Sequence, residues 1–165
     1  PGDEALDAAL EAAGFVVGDP TLALIAPVGD IAPSDGAAYP SWPPLAVQLE
    51  IWGDAGIGGE RVAVMDRVQG AKTSLMWRAG DEPVATAFMG LDGDVAMVHA
   101  LEVIPAARRQ GIGRAMMGAT AHWAKSQGAR WRVALVVAAN APAVALYRGL
   151  GLSEVTRYHY RRRAG

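Results

Sequence analysis

The chain has 165 residues, 52% hydrophobic and 19% charged, which suffices for the core of one domain and excludes disorder over most of its length. Its formal net charge of −2 is unevenly spread, because residues 1–105 hold 16 acidic and 4 basic side chains and residues 106–165 hold 1 and 11. The sequence has no cysteine, no metal-ligand spacing among its three histidines and no apolar run that approaches roughly 18 residues. It therefore predicts a cytoplasmic protein without a disulfide, a metal or a membrane span.

The N-terminal part of the chain predicts a helix, a strand and a linker. Residues 3–13 place apolar side chains on one helical face, with acidic residues in the first turn and Gly14 at the end. Residues 21–26 are a strand candidate. Residues 29–44 are rich in proline, glycine, serine and aspartate, a composition typical of a linker or a long ordered loop.

Two helices and three strands are predicted in the middle of the chain. Apolar residues recur at helical spacing in residues 45–52 and 59–68. Three strand candidates follow at residues 73–78, 84–91 and 95–104, separated by the turn signals AGDE and DGD. Since such short turns join neighbouring strands, we expect an antiparallel meander.

The last third of the chain alternates helices with strands. An apolar stripe predicts a helix over residues 112–127. Residues 132–138 form a nearly continuous apolar run, which is typical of a strand buried on both faces beside a parallel neighbour. A helix capped by Asn140 and a strand at residues 155–160 complete the chain, so the predicted fold class is α/β, a mixed sheet covered by helices.

The stretch VIPAARRQGIGR, residues 103–114, carries the strongest functional signal. A strand ends, a short loop follows, and a helix begins at or just after Gly111, where free helical N–H groups favour an anion. With Arg108, Arg109 and Arg114 beside them, these groups fit a diphosphate better than a carboxylate. The uneven charge leads us to expect that the basic part of the chain, residues 106–165, contacts either such an anion or an oppositely charged face of the protein. Neither a Walker loop nor a dinucleotide fingerprint fits this stretch.

Three motifs resemble the GCN5-related N-acetyltransferase (GNAT) superfamily, over roughly residues 60–160. The pattern R-x-x-G-x-G occupies residues 108–113, directly after L-x-V-x-P at residues 101–105. Downstream, residues 140–152 match N-x-x-A-x-x-L-Y-x-x-x-G-[FL]. A typical member begins with a strand before its first two helices, and this chain has the proline-rich segment in that place.

The resemblance implies a GNAT-like acyl-CoA N-acyltransferase fold, whose mixed, mostly antiparallel sheet is splayed at the cofactor site. It implies that acetyl-CoA lies with its pantetheine arm along Leu101 and Val103 and its diphosphate on the backbone N–H groups of residues 109–114. The cofactor-binding residues implied in this way are Leu101, Val103, Arg108, Arg109, Gln110, Gly111, Ile112, Gly113, Arg114, Asn140, Ala143 and Tyr147.

Two residues are candidates for proton transfer. Tyr147 matches the family position of the acid that protonates the leaving thiolate, although packing against the sheet explains this aromatic residue equally well. For the base, strand alternation places His99 on one face with Leu101 and Val103 and puts Glu102 on the other face. His99 is therefore the candidate base, with Glu102 or a water as alternatives; a sheet histidine without a catalytic role is the simpler interpretation.

The resemblance therefore predicts an acyl-CoA-dependent N-acyltransferase, which transfers an acetyl group to the primary amine of a small molecule in a ternary complex. The alternatives are a non-catalytic CoA-binding or regulatory lobe and an enzyme that acetylates a protein amine. A nucleic-acid partner is not expected, because the sequence has no basic groove with interleaved aromatic residues.

A repeat predicts the domain organisation. Aligning Gly14 with Gly151 matches a helix, a glycine, an apolar residue and a strand in both places, although any short helix ending in glycine before a strand gives such a match. The first residue is proline rather than methionine. We therefore expect residues 1–28 to end an upstream, degenerate GNAT-like lobe, residues 29–44 to be a linker and residues 45–165 the acetyltransferase domain. The partner is then that lobe or a second copy in a homodimer.

Overall fold

The computed structural model describes residues 3–30 and 38–163, which form five α-helices and one seven-stranded sheet. The helices are α1 Glu4–Ala12, α2 Ala46–Asp54, α3 Gly59–Asp66, α4 Ile112–Ser126 and α5 Ala141–Arg148. The strands are β1 Phe15–Pro27, β2 Ala38–Ser41, β3 Lys72–Ala79, β4 Glu82–Asp92, β5 Val95–Val103, β6 Trp131–Val137 and β7 Ser153–Arg163. Every predicted helix and strand is present, and the first and last strands are longer than predicted.

The sheet order is β2-β3-β4-β5-β6-β1-β7. Strands β5 and β6 are parallel, which confirms the parallel neighbour predicted for residues 132–138, and all other neighbouring strands are antiparallel. Residues 38–41, which fall in the predicted linker, form the edge strand β2, and residues 31–37 lie outside the described residues. The mixed α/β fold class is confirmed.

Strand β1 comes first in the chain and yet lies inside the sheet. It pairs antiparallel with β6 on one side and with β7 on the other, so β6 and β7 run in the same direction. The connection from β6 through α5 to β7 is therefore a crossover that leaves a slot one strand wide. The N-terminal strand fills this slot.

The centre of the sheet is buried on both faces. In β4, Ala87 and Met89 pack into the large core together with buried residues of α4, whereas Phe88 points the other way and packs with Trp52 of α2 and Met65 of α3. Helices α2 and α3 therefore cover the sheet on the face opposite α4. Among the described residues, no helix has both the length and the apolar character needed to cross a membrane.

The acidic N-terminal unit meets the basic last strand. The Asp7 carboxylate of α1 accepts hydrogen bonds from Arg161 at 2.7 Å and lies 2.7 Å from the His159 ring, and Asp19 of β1 pairs with Arg162. Glu11 lies 3.6 Å from Arg161. The expectation that two oppositely charged faces of the protein meet is confirmed at this contact.

We predict that Asp7→Asn lowers stability in a pH-dependent way. Hydrogen bonds from Arg161 and His159 hold the pKa of the Asp7 carboxyl far below its usual range. Because the folded-state pKa is depressed, this contribution is fully present above the unfolded pKa of about 3.9 and is lost as the pH falls towards the folded value. Urea denaturation should therefore show the variant less stable at pH 5, with a gap to the parent that narrows between pH 5 and pH 2.

The matched control is Asp81→Asn, because Asp81 also pairs with an arginine, Arg78, at 3.3 Å but is fully exposed. We expect this variant to unfold at the same urea concentration as the parent, within error, at every pH. A gap for Asp7→Asn that is the same at pH 5 and pH 2 would contradict the electrostatic explanation.

Candidate active site

A gap opens in the middle of the sheet where β5 and β6 stop pairing. The last parallel pair is Val98 with Ala134, although β5 continues to Val103 and β6 to Val137. The backbone groups of β5 that face β6 beyond this point are therefore free of strand partners. A ligand with amide groups can bind along such an edge as an added strand.

An extra residue in β5 bends the strand at the start of the gap. Opposite β4, Phe88 faces His99 and Thr86 faces Glu102, so one residue more lies on β5 than on β4 between these pairs. Ala100 takes a left-handed backbone conformation with φ +49°, which costs free energy for a residue other than glycine. The buried Trp52 of α2 donates its indole N–H to the Ala100 carbonyl at 2.7 Å and thereby holds the bend.

The bend reverses the alternation that the sequence predicts for β5. Phe88 and Thr86 lie two positions apart on one face of β4, so their partners His99 and Glu102 also share that face. The prediction that His99 lies with Leu101 and Val103, opposite Glu102, is therefore wrong. One inserted residue shifts every following side chain to the other face.

The loop after β5 and the start of α4 form an open cradle of backbone N–H groups. Gly111 caps α4 with φ +82°, and Arg109 also has a left-handed conformation, at φ +64°. A Cβ at Gly111 would meet no atom within 4 Å, so the approach to the first helical N–H groups is clear. At Gly113 a Cβ would lie 3.2 Å from the Leu146 side chain, so a larger residue there would require this leucine to shift by a few tenths of an ångström.

The arginines of the loop have different roles. Arg108 donates to the Val103 carbonyl at 2.9 Å, and Arg114 donates to the Gly149 carbonyl at 3.3 Å, so both brace the loop against its neighbours. The side chain of Arg109 forms no hydrogen bond or ion pair with the other described residues. Its charge is therefore available to an anion at the cradle.

A cavity of about 580 Å³ joins the free edge of β5 to this cradle. The predicted cofactor-binding residues that line it are Leu101, Val103, Arg108, Arg109, Gly111, Gly113, Arg114, Asn140 and Ala143. The remaining predicted residues do not line it: the Ile112 side chain lies in the large core, Gln110 is exposed and donates to the Ala106 carbonyl, and Tyr147 is buried. Asn140 caps α5 by accepting the Ala143 N–H at 3.2 Å.

A second cavity, of about 460 Å³, adjoins the first one. Glu102, Val103 and Arg108 line both cavities, and the second also reaches Asp54 at the end of α2. Among the described residues that line these two cavities, Glu102 and Asp54 are the acidic ones. His99 lines neither cavity. Nothing in the sequence marks Asp54 as a site residue, because it lies in an ordinary helical pattern far from the motifs.

Burial shifts the pKa values of the three candidates for proton transfer, Glu102, Tyr147 and His99. It raises the pKa of the Glu102 carboxyl, against the opposing effect of Arg108, and it raises the pKa of Tyr147 to about 12, with the Glu102 charge adding to the shift. It lowers the pKa of His99, and the nearby charge of Arg61 acts in the same direction. At neutral pH, Tyr147 therefore holds its proton and His99 is uncharged.

These features fit an elongated ligand with amide groups at one end and phosphates at the other. The free edge of β5 offers N–H and C=O groups to the amides, the cradle at Gly111 offers N–H groups to the phosphates, and Arg109 adds a positive charge. Coenzyme A has this order of groups. The residues present therefore fit the cofactor implied by the sequence motifs.

Both the sequence and the structure of the chain are similar to those of known proteins. The model of the acetyltransferase (GNAT) family matches residues 38–152. Aminoglycoside N(6')-acetyltransferase type 1 of Klebsiella aerogenes is 32% identical over 65 residues, which is 39% of this chain and 43% of the relative. The chain therefore spans less than half the length of this curated relative.

Two solved structures have the same fold. A GCN5-related N-acetyltransferase from Kribbella flavida superposes with a TM-score of 0.73 and 21% identity, over 99% of this chain and 66% of that one. A tandem GNAT protein from the clavulanic acid biosynthesis pathway superposes with a TM-score of 0.70 and 15% identity, over 98% of this chain and 57% of that one. At these identities the likeness concerns the fold.

We predict that Trp52→Phe destabilises the protein by about 1–3 kcal/mol, because the Ala100 carbonyl loses its donor in a partly buried and strained position. Urea denaturation monitored by circular dichroism measures the change. The control is Trp131→Phe, since Trp131 is 37% exposed and its indole N–H makes no hydrogen bond to another described residue. Equal losses in the two variants would contradict a special role for the Trp52 bond.

Proposed function

The chain belongs to the acetyltransferase (GNAT) family, and we propose that it transfers an acetyl group from acetyl-CoA to the primary amine of a small molecule within a ternary complex. The observation that carries this proposal is the cavity that runs from the unpaired edge of β5 to the cradle at Gly111. Acetyl-CoA, when bound, supplies the acetyl group as an activated thioester.

Cofactor binding rests on backbone groups and on a few side chains. The edge of β5 at Leu101 and Val103 binds the pantetheine amides, and the first N–H groups of α4 bind the diphosphate. Arg109 neutralises part of the diphosphate charge, while Arg108 and Arg114 keep the loop in shape. Ala143 on α5 forms part of the opposite wall.

Glu102 is the base in this proposal. An amine with a pKa of about 10 is mostly protonated at neutral pH, and presenting it uncharged costs roughly 4 kcal/mol, so a group must accept its proton. Glu102 lines both the cofactor cavity and the adjoining cavity, and its raised pKa makes it a stronger base than an exposed carboxylate. His99 lines neither cavity, and its lowered pKa weakens it as a base.

Tyr147 is the acid in this proposal. Its raised pKa keeps the proton on the phenolic oxygen at neutral pH, and its hydroxyl then donates to the sulfur that leaves as a thiolate. Tyr147 lies on α5, the helix whose residue Ala143 lines the cavity. Tyr147 is 7% exposed, so the site shields this proton from bulk water.

The acceptor is a cationic small-molecule amine in this proposal. Asp54 and Glu102 both line the adjoining cavity, which suits an ammonium group more than an anion. The curated relative is named for acetylating an aminoglycoside, a class of molecule that carries several amines. An acceptor panel should therefore begin with polyamines and aminoglycosides and include neutral and acidic amines.

We predict that Gly111→Ala weakens CoA binding by about tenfold or more, whereas Gly128→Ala leaves it unchanged. Both glycines are left-handed, at φ +82° and +79°, and at neither would a Cβ meet an atom within 4 Å. The two variants therefore carry the same backbone strain, about 1–2 kcal/mol, but only Gly111 lies at the cradle. Calorimetric titration with CoA measures the affinity, and thiol release from acetyl-CoA with the amine panel measures turnover.

Equal CoA affinities for these two variants would contradict the assignment of the cradle at Gly111 to binding of the CoA diphosphate. Normal binding of CoA by the parent protein, with no thiol release across the panel, would instead favour a non-catalytic CoA-binding lobe. The two outcomes are distinguishable because one concerns affinity and the other turnover.

We predict that Glu102→Gln lowers kcat by about 10²–10⁴-fold and removes the acidic limb of the pH profile. Glu102 accepts a proton only when ionised, so activity should fall as the pH drops through a pKa above the ordinary value of 4.5. His99→Gln is the control and should keep both kcat and the limb. If His99→Gln loses the limb and Glu102→Gln keeps it, the base is His99.

A further inference from the structure

The N-terminal and C-terminal units of the chain have the same local structure. Helix α1, Gly14 and strand β1 follow one another as helix α5, Gly151 and strand β7 do, and both glycines have φ +82°. The two units are 137 positions apart in the sequence. They also pair with each other, because β1 and β7 are antiparallel neighbours.

The register of this pairing has two-fold symmetry at the same spacing of 137 positions. Thr21 pairs with Tyr158, its own counterpart, so the axis passes through this pair. Four of the other eight pairs, two on each side of the axis, exchange under the same operation. These are Val16 with Arg162 and Ile25 with Ser153, and likewise Val17 with Arg161 and Leu24 with Glu154.

The irregularities of the pairing follow the symmetry only to within about one position. Each strand carries one surplus residue, on opposite sides of the axis: β1 in the stretch between Gly18 and Thr21, and β7 at Val155. The counterpart of Val155 at a spacing of 137 positions is Gly18, which pairs with Tyr160 and directly precedes the stretch that holds the surplus residue of β1. A chance resemblance between two helix–glycine–strand units does not require Thr21 to pair with its own counterpart, so this register supports a structural relation between the two units.

We propose that α1 and β1 are the last elements of a second lobe of the same fold, joined N-terminally to this one, and that the outer edge of β7 binds a strand of that lobe. The axis between β1 and β7 relates the two lobes. Since β1 is inserted between β6 and β7, the symmetric arrangement inserts β7 between β1 and the other lobe's counterpart of β6. The inference does not depend on the reaction.

The surface of β7 is consistent with such a neighbour. β7 is an edge strand of 11 residues, and no described residue pairs with its outer side, which leaves a long row of free backbone groups. Its apolar side chains are uncovered, with Val155 60% and Tyr160 50% exposed. The contact between Asp7 of α1 and Arg161 of β7 is then a contact between lobes, and the new strand continues that interface.

The symmetry fixes the register of the missing strand. Thr21 of β1 faces Val137 of β6, so Tyr158 of β7 faces the counterpart of Val137, which is the residue immediately before Pro1. The Ala138 N–H donates to the Pro20 carbonyl, so the next pair, Thr21 with Val137, is a non-hydrogen-bonded pair. The Cα atoms of the two residues in such a pair are about 4.5 Å apart, a distance that a disulfide can bridge.

The test is a disulfide in the natural full-length polypeptide that contains this chain. One variant carries Tyr158→Cys and a cysteine at the residue immediately before Pro1, and a shifted variant has that second cysteine one residue earlier, which places its thiol on the other face. Thr21→Cys with Val137→Cys is the positive control with the same pair geometry. The 165 residues contain no cysteine of their own. Peptide mapping after mild oxidation identifies the bond.

We expect the first variant and the positive control to oxidise within one molecule, at least about tenfold faster than the shifted variant. The proposal is overturned if no residues precede Pro1, if neither β7 variant cross-links while the control does, or if both cross-link equally. A bond that forms only between two molecules also overturns it, in favour of pairing between two copies.

Amide hydrogen exchange on the unmodified polypeptide gives an independent readout. If β7 has strands on both sides, all of its amides should exchange at least about tenfold more slowly than the outer amides of β2, the other edge strand of the same sheet. Alternating fast and slow amides along β7, as in a free edge, would overturn the proposal even if the cysteine variants failed to fold.

Discussion

The structure of the site depends on the separation of two parallel strands. If β5 and β6 stayed paired along their full lengths, the edge at Leu101 would be occupied by β6 and no cavity would form there. Pairing instead ends at Val98, and the extra residue at Ala100 turns β5 away. The hydrogen bond from Trp52 to the Ala100 carbonyl offsets part of the cost of this bend and ties it to α2.

In the proposed reaction, the bend also decides which side chains take part in proton transfer. It puts Glu102 where it lines both cavities, and burial there raises its pKa. Burial has opposite chemical consequences for Glu102 and Tyr147. A raised pKa makes the Glu102 carboxylate a better proton acceptor, whereas it keeps the phenol of Tyr147 protonated. The two groups therefore do not compete for one role.

The sequence predicts the local elements of this fold well, because the apolar periodicity of helices and strands is a local property. The continuous apolar run of residues 132–138 predicts their parallel partner, and the glycines and arginines of residues 108–114 predict the anion-binding start of α4. The bend at Ala100 has no such signal, since alanine is not typical of a left-handed position, and the face of His99 was therefore wrongly predicted. The insertion of β1 between β6 and β7 depends on pairing between distant segments, which periodicity does not encode.

The position of β6 links the gap to the N-terminal unit. The first half of β6 is fixed by its pairing with β5 and by Arg132, whose buried guanidinium donates to the Met117 carbonyl and the Thr120 hydroxyl of α4. Beyond Ala134, β6 has left β5, and the strand that pairs with it among the described residues is β1. The far wall of the gap is therefore held by the N-terminal strand. The proposed second lobe, of which β1 is a part, would accordingly help to set the width of the gap.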